Sequence, residues 1–197
     1  LAARGNCPSI HGPNVAHSWS ATTLDSFKAL VFDAGTPTYR NPVGAEDRLL
    51  QRSWRTRTLR GGKASGRLLG GNLSVLATMV GTPWLPDFTG AILFLEDTNE
   101  AEYRIDRLLT QLGQAGVLGK LAGAVFGQCT NCSNPDPFYG NFTLLEVLDH
   151  HLGTLGVPAF QGALIGHIPN QVSIPVGIPA EIDADAGTIR ILEPVVS

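Results

Sequence analysis

The segment that most constrains this chain is Gly90 to Arg107, GAILFLEDTNEAEYRIDR, in which a short apolar run delivers two carboxylates into a helix start. Ile92, Leu93, Phe94 and Leu95 follow one another without a polar break, the pattern of a strand buried on both faces of a parallel sheet. Thr98 or Asn99 is placed to cap the next helix, whose apolar positions Ile105, Leu108, Leu109 and Leu112 keep helical spacing. In open α/β sheets, ligands collect beyond the carboxyl ends of the strands, which is where Glu96 stands. Glu96 and Asp97 also suit the positive end of the helix dipole, so this segment alone leaves a structural and a chemical role open.

A second segment, VPAFQGALIGHIPNQVSIPVG from Val157 to Gly177, reads as an apolar strand Ala159 to Ile165 ending at Gly166-His167. Parallel strands joined by right-handed crossovers share one carboxyl edge, so Glu96 and His167 are expected within reach of each other. A carboxylate that fixes the tautomer of an imidazole supplies two members of a Ser-His-acid triad.

These pieces, with HGP at His11 to Pro13, GRLLGGNL at Gly66 to Leu73, GTPWLP at Gly81 to Pro86 and GHIPNQVSIPVG at Gly166 to Gly177, occur in an order that resembles the LD-carboxypeptidases. These are serine peptidases that remove the terminal D-amino acid from murein tetrapeptides, and the family includes the microcin-C immunity peptidases. The resemblance implies a Ser-His-Glu triad with Glu96 and His167 in the catalytic roles, no metal or other cofactor, and a swivelling β/β/α domain. It makes residues 1–34 the tail of an N-terminal domain and its linker, and 35–197 the C-terminal domain. The family's serine lies upstream of the HGP segment. Neither Ser9 nor Cys7 matches its turn, so the nucleophile is expected from an N-terminal domain outside this chain. The implied partners are that domain, a murein-derived peptide and a second copy in a homodimer; a cytoplasmic location is expected, with which the three cysteines, an odd number, are compatible.

Along the rest of the chain the patterning predicts a short helix Leu24 to Phe32, with Thr22 and Thr23 as capping residues, and a turn-rich link Gly35 to Gly44. Trp54 to Leu59 and Gly66 to Leu69 flank GGKASG as a hairpin. Gly70-Gly71-Asn72 opens a helix Leu73 to Val80, whose amides suit a peptide carboxylate, which makes Gly71 and Asn72 candidate substrate contacts. Glu100, read as one helical turn beyond Glu96, would face the same site and repel a phosphate-bearing acyl-adenylate. A strand Gly123 to Phe126, a helix Phe142 to Leu155 and short strands Val172 to Pro175, Gly177 to Asp183 and Thr188 to Leu192 complete an α/β chain with a parallel core sheet and a smaller antiparallel one.

Composition narrows the alternatives. A formal net charge of -3 gives no case for nucleic acid or anionic membrane, and no apolar run approaches the roughly twenty residues of a membrane span. The cluster Arg48, Arg52, Arg55, Arg57, Arg60, Lys63 and Arg67 reads as a solvated face, with anion recognition as its other use. Three cysteines, an odd number, argue against a disulfide framework. Cys129-x-x-Cys132 lacks the further ligands of a zinc site and the helix of a redox motif, so these are expected to be plain loop cysteines. Two other readings stand beside the murein peptidase: in the same family, a microcin-type acyl-adenylate hydrolase, and in a different class, a non-catalytic domain that binds peptidoglycan peptide or dimerises.

Overall fold

The computed structural model describes residues 7–43, 54–134, 136, 138 and 142–196. Its strands are β1 (Ser9–His11), β2 (Thr38–Arg40), β3 (Arg57–Arg60), β4 (Lys63–Asn72), β5 (Ile92–Thr98), β6 (Gly123–Thr130), β7 (Ala159–Gln161), β8 (Ile174–Val176), β9 (Pro179–Asp183) and β10 (Thr188–Ile191). The α-helices are α1 (Ala21–Val31), α2 (Leu73–Ala77), α3 (Glu102–Gln114) and α4 (Leu144–Leu148). An eight-stranded sheet runs β2-β10-β9-β4-β5-β6-β7-β3, and β1 pairs with β8 as a separate two-stranded antiparallel sheet.

The centre of the large sheet, β4-β5-β6-β7, is parallel, and antiparallel strands flank it on both sides. β4 joins the two regimes because its first half, Lys63 to Arg67, pairs with β9 and its second half, Leu68 to Asn72, pairs with β5. Strand β5 is buried throughout its apolar part and feeds both layers. Leu93 and Leu95 pack with Leu73, Ile105, Leu109 and Leu148 on the helical side, while Ile92 and Phe94 pack with Phe160, Ile165 and Ile174 on the other. The period of two therefore sends Glu96 to the Phe94 face and Asp97 to the helical face.

Several local expectations differ from the structure. The hairpin across GGKASG does not form: β3 pairs with β7 instead, and only Gly61-Gly62 separates it from β4, so the sheet coils until its end strand lies near the start of β4. The strand expected to reach Ile165 ends at Gln161, because Gly162 turns the chain with φ 95°, yet Ala163, Leu164 and Ile165 remain buried as an irregular segment over the sheet. Helix α1 is capped by Ser20 rather than Thr22 or Thr23, and the N-cap position of α3 is Ala101, which makes no side-chain cap, so neither Thr98 nor Asn99 serves it. The stretch 142–155 divides into α4, capped by a Thr143–Glu146 box, and a wider turn Asp149–Gly153.

Cys129 and Cys132 are disulfide-bonded, in place of the free loop thiols expected, and Cys7 is free and exposed. Within the basic cluster, Arg48 and Arg52 lie outside the described residues; Arg57 pairs with Asp149 at 3.1 Å and Lys63 with Asp183 at 3.2 Å, as on a solvated face. No described helix is long and apolar enough to cross a membrane, and no described cluster of His, Cys, Asp and Glu is arranged to hold a metal.

Candidate active site

Glu96 lies near the end of β5, in register with Asn72 of β4, and its side chain is completely buried. On the other side, β6 carries an irregularity between its pairs with Leu95 and Asp97, setting two residues, Gly127 and Gln128, against the single residue Glu96. That bulge receives the segment after β7. Gln128 N–H donates to the Ile165 carbonyl at 2.8 Å, and a side chain at Gly127 would collide with that same carbonyl. The chain then passes over Gly166, with φ 121°, where a Cβ would stand 3.0 Å from Glu96 Oε2 and 3.1 Å from the Gln128 carbonyl. Gly166 is thus the residue that lets backbone close over the carboxylate.

The next residue is His167. Its backbone carbonyl accepts a hydrogen bond from Thr130 Oγ1 at 2.9 Å, and its Nδ1 lies 2.8 Å from Glu96 Oε2. A carboxylate only accepts, so Nδ1 carries the hydrogen and the neutral ring keeps its lone pair on Nε2. The ring is 56% exposed while its carboxylate partner is fully buried, so the basic nitrogen belongs to an accessible side chain with a fixed orientation.

Asp97 does different work. Its Oδ2 accepts from Ser74 N at 3.0 Å and Ser74 Oγ at 2.8 Å, and its Oδ1 accepts from Asn72 Nδ2 at 2.9 Å and Thr98 N at 2.9 Å. It serves a helix start, but that of α2 in the preceding crossover rather than that of α3, which follows it. The same network shows what engages Asn72, expected near the substrate. Asn72 Oδ1 caps Val75 N at 3.0 Å and its amide is held by Asp97, so the acid at this helix start belongs to the protein itself. Gly71, with φ 144°, lies beneath His11, whose Nδ1 would be 3.9 Å from an added Cβ. Glu100 pairs with Arg104 at 3.4 Å. The helical spacing assumed for Glu96 and Glu100 does not exist, since residues 92–98 are extended.

Sequence reasoning gave no role to His11, which the fold places at this centre. It sits on β1, stacks edge-on against Phe94 with centroids 5.5 Å apart, and brings Nε2 to 3.8 Å from Glu96 Oε1. Two clefts meet at it. One of about 530 Å³ includes His17, Trp19, His167 and Gln171; the other, of about 730 Å³, includes Cys7, Ser9, Arg67, Trp84 and Asp87. Cys7 and Ser9, the only nucleophile candidates weighed in the sequence, thus line the cleft that His167 does not.

The chain belongs to the LD-carboxypeptidase family: residues 65–182 match its C-terminal domain. Among curated relatives, a Synechocystis sp. protein named as a carboxypeptidase is 44% identical over 131 residues, which are 66% of this chain and 43% of that protein. A Bacillus subtilis protein named as a murein peptide carboxypeptidase is 39% identical over 122 residues, 62% of this chain and 38% of that one. The microcin C7 self-immunity protein MccF of Escherichia coli is 31% identical over 141 residues, 69% of this chain and 39% of its own length. The chain therefore spans about two fifths of the length of these relatives. The crystal structure of muramoyltetrapeptide carboxypeptidase from Oxalobacter formigenes superposes with a TM-score of 0.75 at 29% identity, covering 93% of this chain and 60% of that one. MccF in complex with aspartyl sulfamoyl adenosine shares the fold, with a TM-score of 0.82 at 24% identity over 100% of this chain and 64% of that one.

Proposed function

We propose that this chain is the base-carrying, C-terminal part of a serine-type LD-carboxypeptidase that releases the terminal D-amino acid of a murein tetrapeptide. The 2.8 Å contact between a buried Glu96 carboxylate and Nδ1 of a half-exposed His167 carries the reading. The names of the relatives from Bacillus subtilis and Oxalobacter formigenes support the substrate class.

In this reading a serine from a segment outside the described residues attacks the scissile carbonyl while His167 Nε2 takes its proton. Glu96 keeps the imidazole in the Nδ1–H form and neutralises the imidazolium that results. His167 then gives the proton to the departing amine of the D-amino acid. Water, deprotonated by the same nitrogen, attacks the acyl-enzyme and frees the serine. Backbone amides beside that serine would hold the oxyanion.

The test is release of D-alanine from a murein tetrapeptide by the full-length protein. His167→Ala and Glu96→Gln are each expected to lower kcat by about four orders of magnitude, with tetrapeptide affinity retained. Undiminished turnover in either variant sinks the reading. Tetrapeptide binding without any turnover by the unaltered full-length protein would replace it with the non-catalytic one.

A further inference from the structure

The geometry points to His11 as a positioning residue for the Glu96–His167 pair: we propose that its Nε2–H closes onto Glu96 Oε1, so that the buried carboxylate is gripped by an imidazole at each oxygen. The functional half of this inference rests on the peptidase reading above; the hydrogen-bond half does not.

The starting observation is an orphan. Glu96 Oε1 is buried and, among the described residues, has no hydrogen-bond partner, whereas Oε2 is held by His167. An unmet carboxylate oxygen in a dry site is costly and ordinarily has a donor at hand. A candidate donor is His11 Nε2 at 3.8 Å, less than 1 Å beyond hydrogen-bond range. Movement that small lies within the freedom of the ring: His11 sits at the end of a three-residue strand, between two clefts, and Gly71 beneath it presents no side chain. Phe94 limits the swing by edge contact, so the ring pivots rather than flips.

Charge favours this arrangement as well. Among the described residues, the ionisable groups around His11 are Glu96 on β5 and His167 after β7, with Cys7, Arg67, Asp87 and His17 lining the adjoining clefts. Burial holds the His11 imidazole below its ordinary pKa; Glu96 opposes that and His167 reinforces it. A neutral His11 still donates one N–H. It grips the carboxylate without adding a second cation that would compete with the imidazolium formed on His167 in each cycle. Donation to Oε1 withdraws some charge from Glu96 and so restrains the basicity of His167.

The direct test is NMR of the ring nitrogens in the 197-residue chain, without substrate. Neutral His11 is expected as the Nε2–H tautomer, and an Nδ1–H tautomer overturns the proposal before any substitution is made. Replacing His11 by Phe keeps the stacking shape and removes the donor, and should raise the titration midpoint of His167 by roughly half a unit to one unit. His11→Gln, which donates without titrating, should hold the midpoint close to that of the unaltered protein. Equal midpoints in all three proteins, or equal shifts in both variants, would show that the ring only packs. If His11→Phe fails to fold, the tautomer and the Gln variant decide. In the full-length enzyme the acid limb of the kcat profile should move to higher pH in His11→Phe, with kcat about tenfold down, KM unchanged and recovery in His11→Gln. Loss of turnover without any shift in the His167 midpoint would leave the peptidase reading standing and refute the grip.

Discussion

Adjacent carboxylates on β5 should fail in opposite ways when each loses its charge, and the contrast follows from what each oxygen touches. Asp97 is 2% exposed and its two oxygens take four donors from Asn72, Ser74 and Thr98. Asp97→Asn keeps one oxygen and turns an NH2 group toward two of those donors. The Ser74 hydroxyl can rotate to accept, but its backbone N–H cannot, so one donor stays unmet beside a clash of like dipoles. That costs about 2 kcal/mol, and Asp97→Ala, which strands Asn72 as well, about 3–5 kcal/mol. For a chain of this size these are falls in melting temperature of about 4–8 °C and 6–20 °C.

Glu96→Gln is different. The amide oxygen still accepts from His167 Nδ1, the NH2 takes the place of the oxygen that faces His11 Nε2 at 3.8 Å, where a neutral imidazole can accept from it by carrying its hydrogen on Nδ1, and a buried charge is removed. The melting temperature should stay within about 2 °C of the parent or rise, the signature of a residue kept for chemistry at some cost in stability. Thermal melts of the three variants followed by far-UV circular dichroism measure this directly. Were Asp97→Asn to melt with the parent while Glu96→Gln fell by 5 °C or more, roughly 2 kcal/mol, the division of labour argued from these contacts would be wrong.

Two further outcomes test the frame around the site. Gly70→Ala should prevent folding, because a Cβ there would lie far inside contact distance of the Phe94 carbonyl, backbone to backbone, and a cooperative melt near that of the parent would refute the β4–β5 register. Hydrogen bonds from Thr143 N–H and its hydroxyl hold the Glu146 carboxyl below its ordinary pKa, so this cap stabilises the fold above the ordinary carboxylate range and is lost as pH falls through the lowered value. Thr143→Ala should therefore lower the melting temperature at about pH 7 and less once the pH is taken below that lowered value; an unchanged gap between the two proteins across an acid titration would show that the cap acts through something other than this carboxylate.

The sequence was most informative where one strand is buried on both sides. The unbroken run Ile92 to Leu95 and the apolar stretch from Ala159 to Ile165 were enough to suggest two strands with a common carboxyl edge, and to bring Glu96 and His167 toward each other. What stayed hidden depends on pairings that no local pattern encodes. GGKASG has the residues of a hairpin turn, yet β3 finds its partner a hundred residues away because the sheet coils. The bulge at Gly127-Gln128 leaves no periodicity to read. The single visible trace of it is a glycine in an otherwise apolar strand, which also fits simple packing. His11 was legible only as part of a family motif, since a lone histidine ten residues into a chain carries no sign that it will lie against a carboxylate 85 positions later. The Cys129–Cys132 bond was missed because counting an odd number of thiols says nothing about a pair only three residues apart.

These particulars explain why the Glu96–His167 pair sits where it does. The parallel arrangement of β4, β5 and β6 ends in polar residues on one edge, and the period of two then assigns consecutive carboxylates to separate tasks. Asp97 faces the helical layer and ties α2 to the sheet; Glu96 faces the opposite layer, where β1 and the Gly166-His167 turn approach it from two sides. Two structural concessions are needed for that approach, a glycine at 166 and a bulge in β6, and neither would benefit a sheet that only had to be stable. A buried carboxylate with one oxygen unmet is likewise a poor stabilising device. Its retention is explained if the carboxylate is there to hold His167, and the same logic makes the ring of His11, poised within reach of the unmet oxygen, the next group to ask about.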